Sequence, residues 1–189
     1  MFSQNSGSDA NAAPKTAGYI VDASSSGLTG ERVITDNGVT SWDVSVAAEV
    51  KVLLTFDGTP NTDHTSSGAT TNTFNAGESV TVMDLVYMHS DGEWHLTDAD
   101  AAATASGMLA ISLETKTDGQ AMKVALPCSF VRDDTWNWTV GAILYVSTSP
   151  AAITATAPSA TDDVVRVVGW AVSADVIWFQ PSSDYATVV

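Results

Sequence analysis

Two histidines beside a predicted hairpin turn are the first residues whose types and spacing suggest chemistry. His89 and His95 flank Asp91-Gly92, a dipeptide typical of tight turns between antiparallel strands. In such a hairpin the two imidazoles can face each other, which would provide half of a metal site. The single cysteine lies far along the chain, and the third histidine, His64, lies in a polar segment. We therefore expect no bound metal and no cofactor, with these histidines at the surface or at the edge of the core.

Acidic side chains form three close pairs, which raises the question of acid–base catalysis. The pairs are Asp98/Asp100, Asp133/Asp134 and Asp162/Asp163. Catalysis would need two carboxylates in one cleft with different pKa values, and solvated turns are the simpler interpretation. The sequence has no nucleophile elbow, no phosphate-binding loop and no dinucleotide-binding fingerprint. We expect no enzymatic activity, and the alternative is a hydrolase on a β-scaffold with perturbed carboxylates in a cleft.

Six tryptophans are the remaining feature with chemical potential. Trp136 and Trp138 are two positions apart, which places them on one face of a strand. A flat indole stacks well on a sugar ring, but tryptophan is also enriched in cores and subunit interfaces. The aromatic residues that we assign to an interface or a glycan-facing surface are Trp136, Trp138, Trp94 and Trp170.

Charge and cysteine content restrict the partners of the chain. Its 189 residues contain 22 Asp and Glu against 7 Lys and Arg, a formal net charge of -15. Such a surface repels phosphate backbones and anionic lipids, so we expect neither nucleic-acid nor membrane binding. No apolar run approaches the roughly 18–20 residues that span a bilayer. The only cysteine, Cys128, follows the alternating residues Met122, Val124 and Leu126, and we expect a buried structural thiol.

The pattern along the chain predicts short β-strands separated by turns. Leu109, Ile111 and Leu113 alternate with small or polar residues, as in a half-buried strand. Asp118-Gly119 then predicts a turn, and Ser173-Ala174-Asp175 predicts a hairpin between 164–172 and 176–179. One short helix is expected within 97–106, with Thr97 or Asp98 as its N-cap.

These segments predict an all-β protein, an antiparallel β-sandwich or small β-barrel with one short helix at most. Residues 1–17 lack periodicity and are expected to be a flexible N-terminal arm. A β-rich N-terminal region follows at 18–56, in which 46–54 fits either a strand or a helix. Residues 57–73 have the composition of a polar linker, and 74–189 form the main β-domain.

Residues 75–184 also contain an ordered series of short motifs. The series is NAGESV at 75–80, VYMHSDGEW at 86–94, TDADA at 97–101, GMLAI at 107–111, TVGAILYVS at 139–147, PSA at 158–160, VVRVVGWAV at 164–172 and FQPS at 179–182. In this order they resemble a β-domain of tailed-phage structural proteins, the capsid decoration (cement) and head-fibre proteins. Ala110 and Ser112 stand where that pattern has a glycine-containing strand, and 18–56 has no clear counterpart.

The resemblance implies a virion protein that binds the outer surface of a phage capsid and stabilises it without catalysis. It implies the major capsid protein and a homotrimer of the chain itself as partners, with 18–56 as a candidate capsid-binding or trimerisation part. The implied location is the capsid exterior after synthesis in the host cytoplasm. The alternative is a head- or tail-fibre component that recognises a host-surface glycan.

Overall fold

The structure is a computed structural model that describes residues 57–189 and four short strands before them. The chain divides into two compact units, Met1–Thr55 and Phe56–Val189. In the first unit the described strands are β1 (Ile20–Val21), β2 (Arg32–Val33), β3 (Thr40–Asp43) and β4 (Lys51–Leu54). β1 and β2 are parallel, whereas β3 and β4 are antiparallel. The predicted arm at 1–17 lies outside the described residues, and the ambiguous range 46–54 ends in a strand rather than a helix.

The second unit contains two main antiparallel sheets. In spatial order, the five-stranded sheet consists of β6 (Thr70–Thr71), β10 (Val124–Ala125), β9 (Leu109–Ser112), β7 (Leu85–Met88) and β8 (Trp94–Leu96). The six-stranded sheet consists of β13 (Ile153–Thr154), β12 (Ile143–Val146), β15 (Val167–Ala171), β16 (Val176–Phe179), β11 (Ser129–Arg132) and β5 (Thr65–Ser67). A separate pair joins β14 (Val164–Val165) to β17 (Ala186–Thr187).

The two main sheets pack against each other as a sandwich. Leu85 and Ile111 from the five-stranded sheet share one buried cluster with Leu144, Ile177 and Phe179 from the six-stranded sheet. Within 57–189 the two sheets remain open at their edges, so the predicted all-β sandwich is confirmed and the closed barrel is not formed. In the part of the chain that the structure describes, no helix has the length and hydropathy needed to cross a bilayer.

A second buried cluster covers the other face of the five-stranded sheet. Val86, Ala110 and Val124 point away from the sandwich and pack with Trp94 and Met122. The segment 75–80 covers this face and is held there by backbone bridges, one of which pairs Val80 with Lys116. All four residues of β9 are therefore buried, where the alternating pattern predicted a strand with one solvated face.

Residues 57–73 are not a linker, because they contribute strands to both sheets. β5 pairs with β11 at the edge of the six-stranded sheet, and β6 pairs with β10 at the edge of the five-stranded sheet. Edge strands need few apolar residues, since their main role is to satisfy backbone hydrogen bonds of the neighbouring strand. The polar composition that predicted a linker thus fits two short edge strands equally well.

The expected helix is shorter and begins later than predicted. α1 spans only Ala102–Ala105, and its N-cap is Ala101, which makes no side-chain capping bond. The side chain of Asp98 instead accepts the N–H of Asp100, and the side chain of Thr97 donates to the carbonyl of Leu85. Both expected capping residues therefore stabilise the loop before the helix.

Strand β15 requires a glycine at position 169. Its φ of 157° lies in a region that L side chains rarely adopt, and a Cβ at this position would collide with the carbonyl oxygen of Trp178 on β16. The register between β12 and β15 shifts at the adjoining pair Leu144/Tyr145. A glycine therefore permits the irregularity that keeps the two strands paired.

Candidate functional site

The outer face of the six-stranded sheet carries four apolar side chains at directly paired positions. Ile143 on β12 lies opposite Trp170 on β15, and Trp170 lies opposite Trp178 on β16. Trp178 in turn lies opposite Phe130 on β11. We call these four residues the outer row. Residues adjacent to them in the chain point to the other face and belong to the core between the sheets, as the alternation of side chains along a strand requires.

The outer row is open to solvent at one end and packed more tightly at the other. Ile143 is 44% exposed and Trp170 is 40% exposed, whereas Trp178 and Phe130 are half-buried. The rings of Phe130 and Trp178 have centroids 4.6 Å apart at an angle of 50°. An open groove of about 560 Å³ adjoins Trp170 and is also lined by Pro181. The arrangement is a nearly flat apolar surface with a recess beside it, a form suited to contact with another protein.

A cleft of about 280 Å³ lies where β7 begins and β11 ends. Trp136 and Trp138 line it together with Asp84, Asp133 and the segment 150–153. The two tryptophans lie in an irregular segment rather than on the strand face that their spacing predicted. Their rings nevertheless remain neighbours, with centroids 5.9 Å apart at 53°. The cleft thus combines aromatic surfaces with carboxylate oxygens, which are groups that can contact the faces and hydroxyls of a sugar.

The two carboxylates of the cleft have different environments. Burial raises the pKa of Asp84, although the N–H of Thr81 donates to its Oδ2 at 2.7 Å and acts in the opposite direction. Asp133 is only 5% exposed, and its Oδ1 accepts hydrogen bonds from the backbone N–H and the hydroxyl of Thr135. A hydrolase needs two carboxylates with different pKa values, and the raised pKa of Asp84 meets part of this condition. The Oδ1 of Asp133, however, already accepts two hydrogen bonds from Thr135.

His64 lies next to this cleft in a second group of polar side chains. Its Nε2 lies 3.5 Å from Asp63 Oδ2 and 3.8 Å from Asp133 Oδ1. Asp63 Oδ1 accepts the backbone N–H groups of His64 and Asp134. The bond from Asp134 is the main reason that the pKa of Asp63 is lowered. One oxygen of each carboxylate in this group therefore already accepts two hydrogen bonds within the protein.

The β7–β8 hairpin brings His89, Asp91 and His95 together, as the turn signal suggested. Gly92, with a φ of 88°, donates its N–H to the carbonyl of His89 and closes the turn. Asp91 Oδ2 lies 2.8 Å from His89 Nδ1 and 3.1 Å from His95 Nε2. We call His89, Asp91 and His95 the hairpin cluster. The imidazole centroids are 4.7 Å apart, so the two rings share one small region of the surface.

Negative charge dominates the surroundings of the hairpin cluster. Glu78 Oε1 lies 3.3 Å from His95 Nδ1 on the side away from Asp91. The N–H of Glu93 donates to Asp91 Oδ1 and is the largest cause that lowers the pKa of Asp91 to about 2, with smaller contributions from the two histidines. Burial, followed by the charges of Glu78 and Asp91, raises the pKa of the neighbouring Tyr87. Asp91 is therefore a carboxylate at any physiological pH.

The predicted surface aromatics separate into three environments. Trp94 is fully buried beneath the cover of the five-stranded sheet, so its assignment to an interface or glycan-facing surface is wrong. Trp136 and Trp138 line the cleft, and Trp170 belongs to the outer row. Trp178, Phe130 and Ile143 were missed as surface residues. The alternation within 176–179 and 129–132 would have placed Trp178 and Phe130 on one face, but their pairing depends on the register between strands.

Two further predictions are corrected by the structure. Cys128 is exposed, because its φ of 67° turns the residue out of line with the alternating strand before it. Its thiol donates to Gln180 Oε1 at 2.9 Å. The acidic pairs are not simply solvated turns, since Asp133 and Asp163 are both buried and accept hydrogen bonds from nearby backbone N–H groups.

Comparison with known proteins gives no relative. No family model matches the chain, and no curated protein or solved structure matches it.

Proposed function

We propose that the chain is a structural virion protein that binds the outer surface of a phage capsid and stabilises it. The observation that supports this function is the outer row, in which Ile143, Trp170, Trp178 and Phe130 extend across four neighbouring strands. At a strand spacing of about 4.8 Å, four strands extend over about 14 Å. Such a width suits a patch of protein surface better than it suits a small ligand.

The outer row is assigned to the contact with the major capsid protein. Tryptophan is enriched among the residues that dominate binding energy at the centre of protein interfaces, and phenylalanine is enriched at interfaces generally. A rigid sandwich presents them without ordering a loop on binding, which lowers the entropic cost of association. The acidic surface, with a formal charge of -15, favours solubility of the protein before it binds.

Stabilisation of the capsid follows from thermodynamic linkage. A protein that binds only the assembled shell shifts the equilibrium from dissociated subunits toward the shell. We propose that the chain acts as a homotrimer on the capsid exterior, after synthesis in the host cytoplasm. Three linked copies raise the effective concentration of each contact, which can increase avidity by factors on the order of 10²–10⁴.

Co-sedimentation with phage heads tests this function. The wild-type chain is mixed with expanded heads of the phage that encodes it, assembled without the protein, and bound chain is measured after pelleting. We expect saturable binding by the wild type and a loss of at least about tenfold in affinity for Trp170→Ala, as for the loss of an interface hot spot. Met108→Ala is the matched control, because Met108 is similarly exposed but lies outside the outer row.

Solution mass separates the capsid contact from the contact between copies. Light scattering is expected to give a trimer for both the wild type and Trp170→Ala. A Trp170→Ala variant that becomes monomeric would assign the outer row to the trimer interface instead. A wild-type monomer that does not pellet with heads would refute the proposed function.

Recognition of a host-surface glycan is the second candidate, and the cleft favours it. Trp136 and Trp138 provide two aromatic surfaces, and Asp84 and Asp133 provide acceptors at the same cavity. A glycan array probed with the wild type and with Trp136→Ala distinguishes the two candidates. A hit that is lost in Trp136→Ala but kept in Trp170→Ala would favour the fibre function, whereas an array without hits would exclude a sugar ligand among the glycans displayed.

A further inference from the structure

The hairpin cluster has three donor atoms at distances close to those of a metal site. One ligand atom from each of His89, Asp91 and His95 lies within 4.8 Å of the other two. Asp91 Oδ2 lies 2.8 Å from His89 Nδ1 and 3.1 Å from His95 Nε2. Ligands of a tetrahedral zinc ion with bonds of about 2.0–2.1 Å are about 3.3 Å apart. Outward movements of a few tenths of an ångström would therefore bring both distances to Asp91 Oδ2 to the spacing that a metal ion requires.

The carboxylate of Asp91 is oriented so that one oxygen is left for a ligand. Its Oδ1 accepts the backbone N–H of Glu93 at 2.9 Å, which fixes the side chain over the turn. Its Oδ2 then faces both histidines. Because the turn holds the carboxylate, its position does not depend on the histidines being charged.

His95 lies between two carboxylates, and a neutral imidazole cannot donate to both. Its Nδ1 faces Glu78 Oε1 at 3.3 Å, and its Nε2 faces Asp91 Oδ2 at 3.1 Å. An imidazolium donates at both nitrogens, whereas a neutral histidine has one N–H and donates to only one of the two carboxylates. If Nδ1–H donates to Glu78, Nε2 is left as a ligand, which is the arrangement of carboxylate–histidine–metal sites.

Glu78 and Gly77 hold His95 in this orientation. Glu78 Oε1 also accepts the N–H of Leu96 at 2.9 Å, so the carboxylate is fixed to the strand that carries His95. A Cβ at Gly77 would collide with the imidazole of His95, and glycine therefore leaves room for the ring. Tyr87 packs against the His89 and His95 rings, with centroids 6.0 and 6.2 Å away.

His89 supplies a buried nitrogen with no aligned partner among the described residues. Although its side chain is 42% exposed, Nδ1 is shielded from solvent and makes no hydrogen bond of acceptable geometry. Its close approach to Asp91 Oδ2 is therefore a contact between two polar atoms that lack a shared hydrogen in good alignment. A cation between them would satisfy both atoms.

We propose that the hairpin cluster binds one divalent transition-metal ion of the Zn²⁺ class through His89 Nδ1, Asp91 Oδ2 and His95 Nε2. Two nitrogens and one oxygen suit zinc and its neighbours, whereas Mg²⁺ and Ca²⁺ prefer all-oxygen sites. Glu78 orients His95 without binding the metal. Three protein ligands leave a fourth position for water or for a group from a neighbouring molecule.

The Asp63/His64/Asp133 group is a weaker candidate for the same ion. It contains one histidine, and Asp133 Oδ1 already accepts two hydrogen bonds from Thr135. All three histidines of the chain lie in these two groups. His64 therefore provides a control that tests which group binds the metal.

The experiment is a Zn²⁺ titration of the full chain against a chromophoric chelator, with Co²⁺ absorption as a second readout. We expect one Zn²⁺ per chain and visible Co²⁺ bands typical of a four-coordinate site. His89→Gln and Asp91→Asn are each expected to weaken Zn²⁺ binding by at least about tenfold, and Glu78→Gln by about 10- to 100-fold, the range for loss of an orienting carboxylate. Asp91→Asn retains an oxygen that can accept the N–H of Glu93, so the turn remains folded.

His64→Gln is the matched control and is expected to bind Zn²⁺ like the wild type. Thermal unfolding without metal checks that each variant is folded. At one Zn²⁺ concentration, the melting temperature should rise by the same amount in the wild type and His64→Gln and by less in the other variants. Absence of stoichiometric binding by the wild type would overturn the proposal. So would full binding by Asp91→Asn and His89→Gln, or loss of binding in His64→Gln. The capsid proposal is measured by head binding and does not depend on this result.

Discussion

The two main sheets of the second unit are built from similar short strands, but they are covered differently. The five-stranded sheet packs on the sandwich core with one face and beneath the 75–80 segment with the other, so every residue of β9 is buried. Within residues 57–189 the six-stranded sheet packs on the core with one face, and its other face carries the outer row, where Gly58 lies next to the Phe130 ring and the Trp170 end is exposed. Apolar residues on a covered face contribute to folding, whereas those on an uncovered face remain available for a partner.

The contrast is clearest between two tryptophans. Trp94 is fully buried beneath the cover of one sheet, and Trp170 is 40% exposed on the outer face of the other. The same side chain therefore has a structural role in one sheet and a proposed binding role in the other. Substitutions of the two tryptophans test this difference, and two further substitutions test contacts between the sheets. Their expected effects decrease from the first to the last.

Trp94→Ala is expected to lower the free energy of unfolding by about 3–5 kcal/mol, the range for truncating a buried aromatic side chain. The cavity would open between the five-stranded sheet and its cover, where Phe74 packs edge-on against Trp94 at 6.2 Å. Urea denaturation measures the effect. A loss below about 1 kcal/mol would mean that this cover contributes little to the fold.

Arg166→Met tests the connection between the two sheets. The buried guanidinium of Arg166, just before β15, donates to the carbonyls of Ala105 and Gly107, which precede β9. A third bond goes to the carbonyl of Ser182. Removal of a charged donor from buried acceptors is expected to cost about 2–3 kcal/mol in urea denaturation. An unchanged midpoint would show that water replaces these bonds without loss.

Trp170→Ala is expected to change stability by less than about 1 kcal/mol, because much of the side chain is already in contact with water. The same variant should lose head binding under the proposed function. Calorimetry and co-sedimentation on one preparation therefore separate the two roles. A destabilisation as large as that of Trp94→Ala would contradict the contrast between the covered and the uncovered sheet.

Asp84→Asn is expected to have the smallest effect on stability, and it tests the cleft between the sheets. Burial raises the pKa of Asp84 above its ordinary value of 3.8, so the folded state favours the protonated form. The stability that this group contributes is fully present below pH 3.8 and is lost as the pH rises through the raised pKa. Asn avoids this loss and can still accept the N–H of Thr81. We expect the melting temperature of Asp84→Asn to be higher than that of the wild type at pH 7, with a smaller difference near pH 3.5. A melting temperature below that of the wild type at pH 7 would refute the conclusion that burial raises the pKa of Asp84.

Local turn chemistry was predicted well from the sequence. Asp91-Gly92 and Ser173-Ala174-Asp175 both connect paired strands, as expected, because these residues specify the turn without help from distant segments. The same turn correctly predicted that the imidazoles of His89 and His95 face each other. The contributions of Asp91 and Glu78 were not predicted, since Glu78 reaches His95 only through the segment that covers the sheet.

Predictions that depended on what covers a strand were less successful. Trp94 was expected at the surface and is in the core, and Cys128 was expected in the core and is exposed. Residues 57–73 were expected to be a linker and form edge strands of both sheets. Alternation along a strand separates its two faces but does not indicate which face a distant segment will cover.

The sequence by itself determined the all-β class, the positions of the hairpin turns and the acidic surface, because each depends on neighbouring residues or on composition. Only the tertiary structure decided which sheet is covered twice, which tryptophans form the outer row and which carboxylates surround His95. These features depend on strand register and on packing between segments far apart in the chain, and no local pattern specifies such contacts.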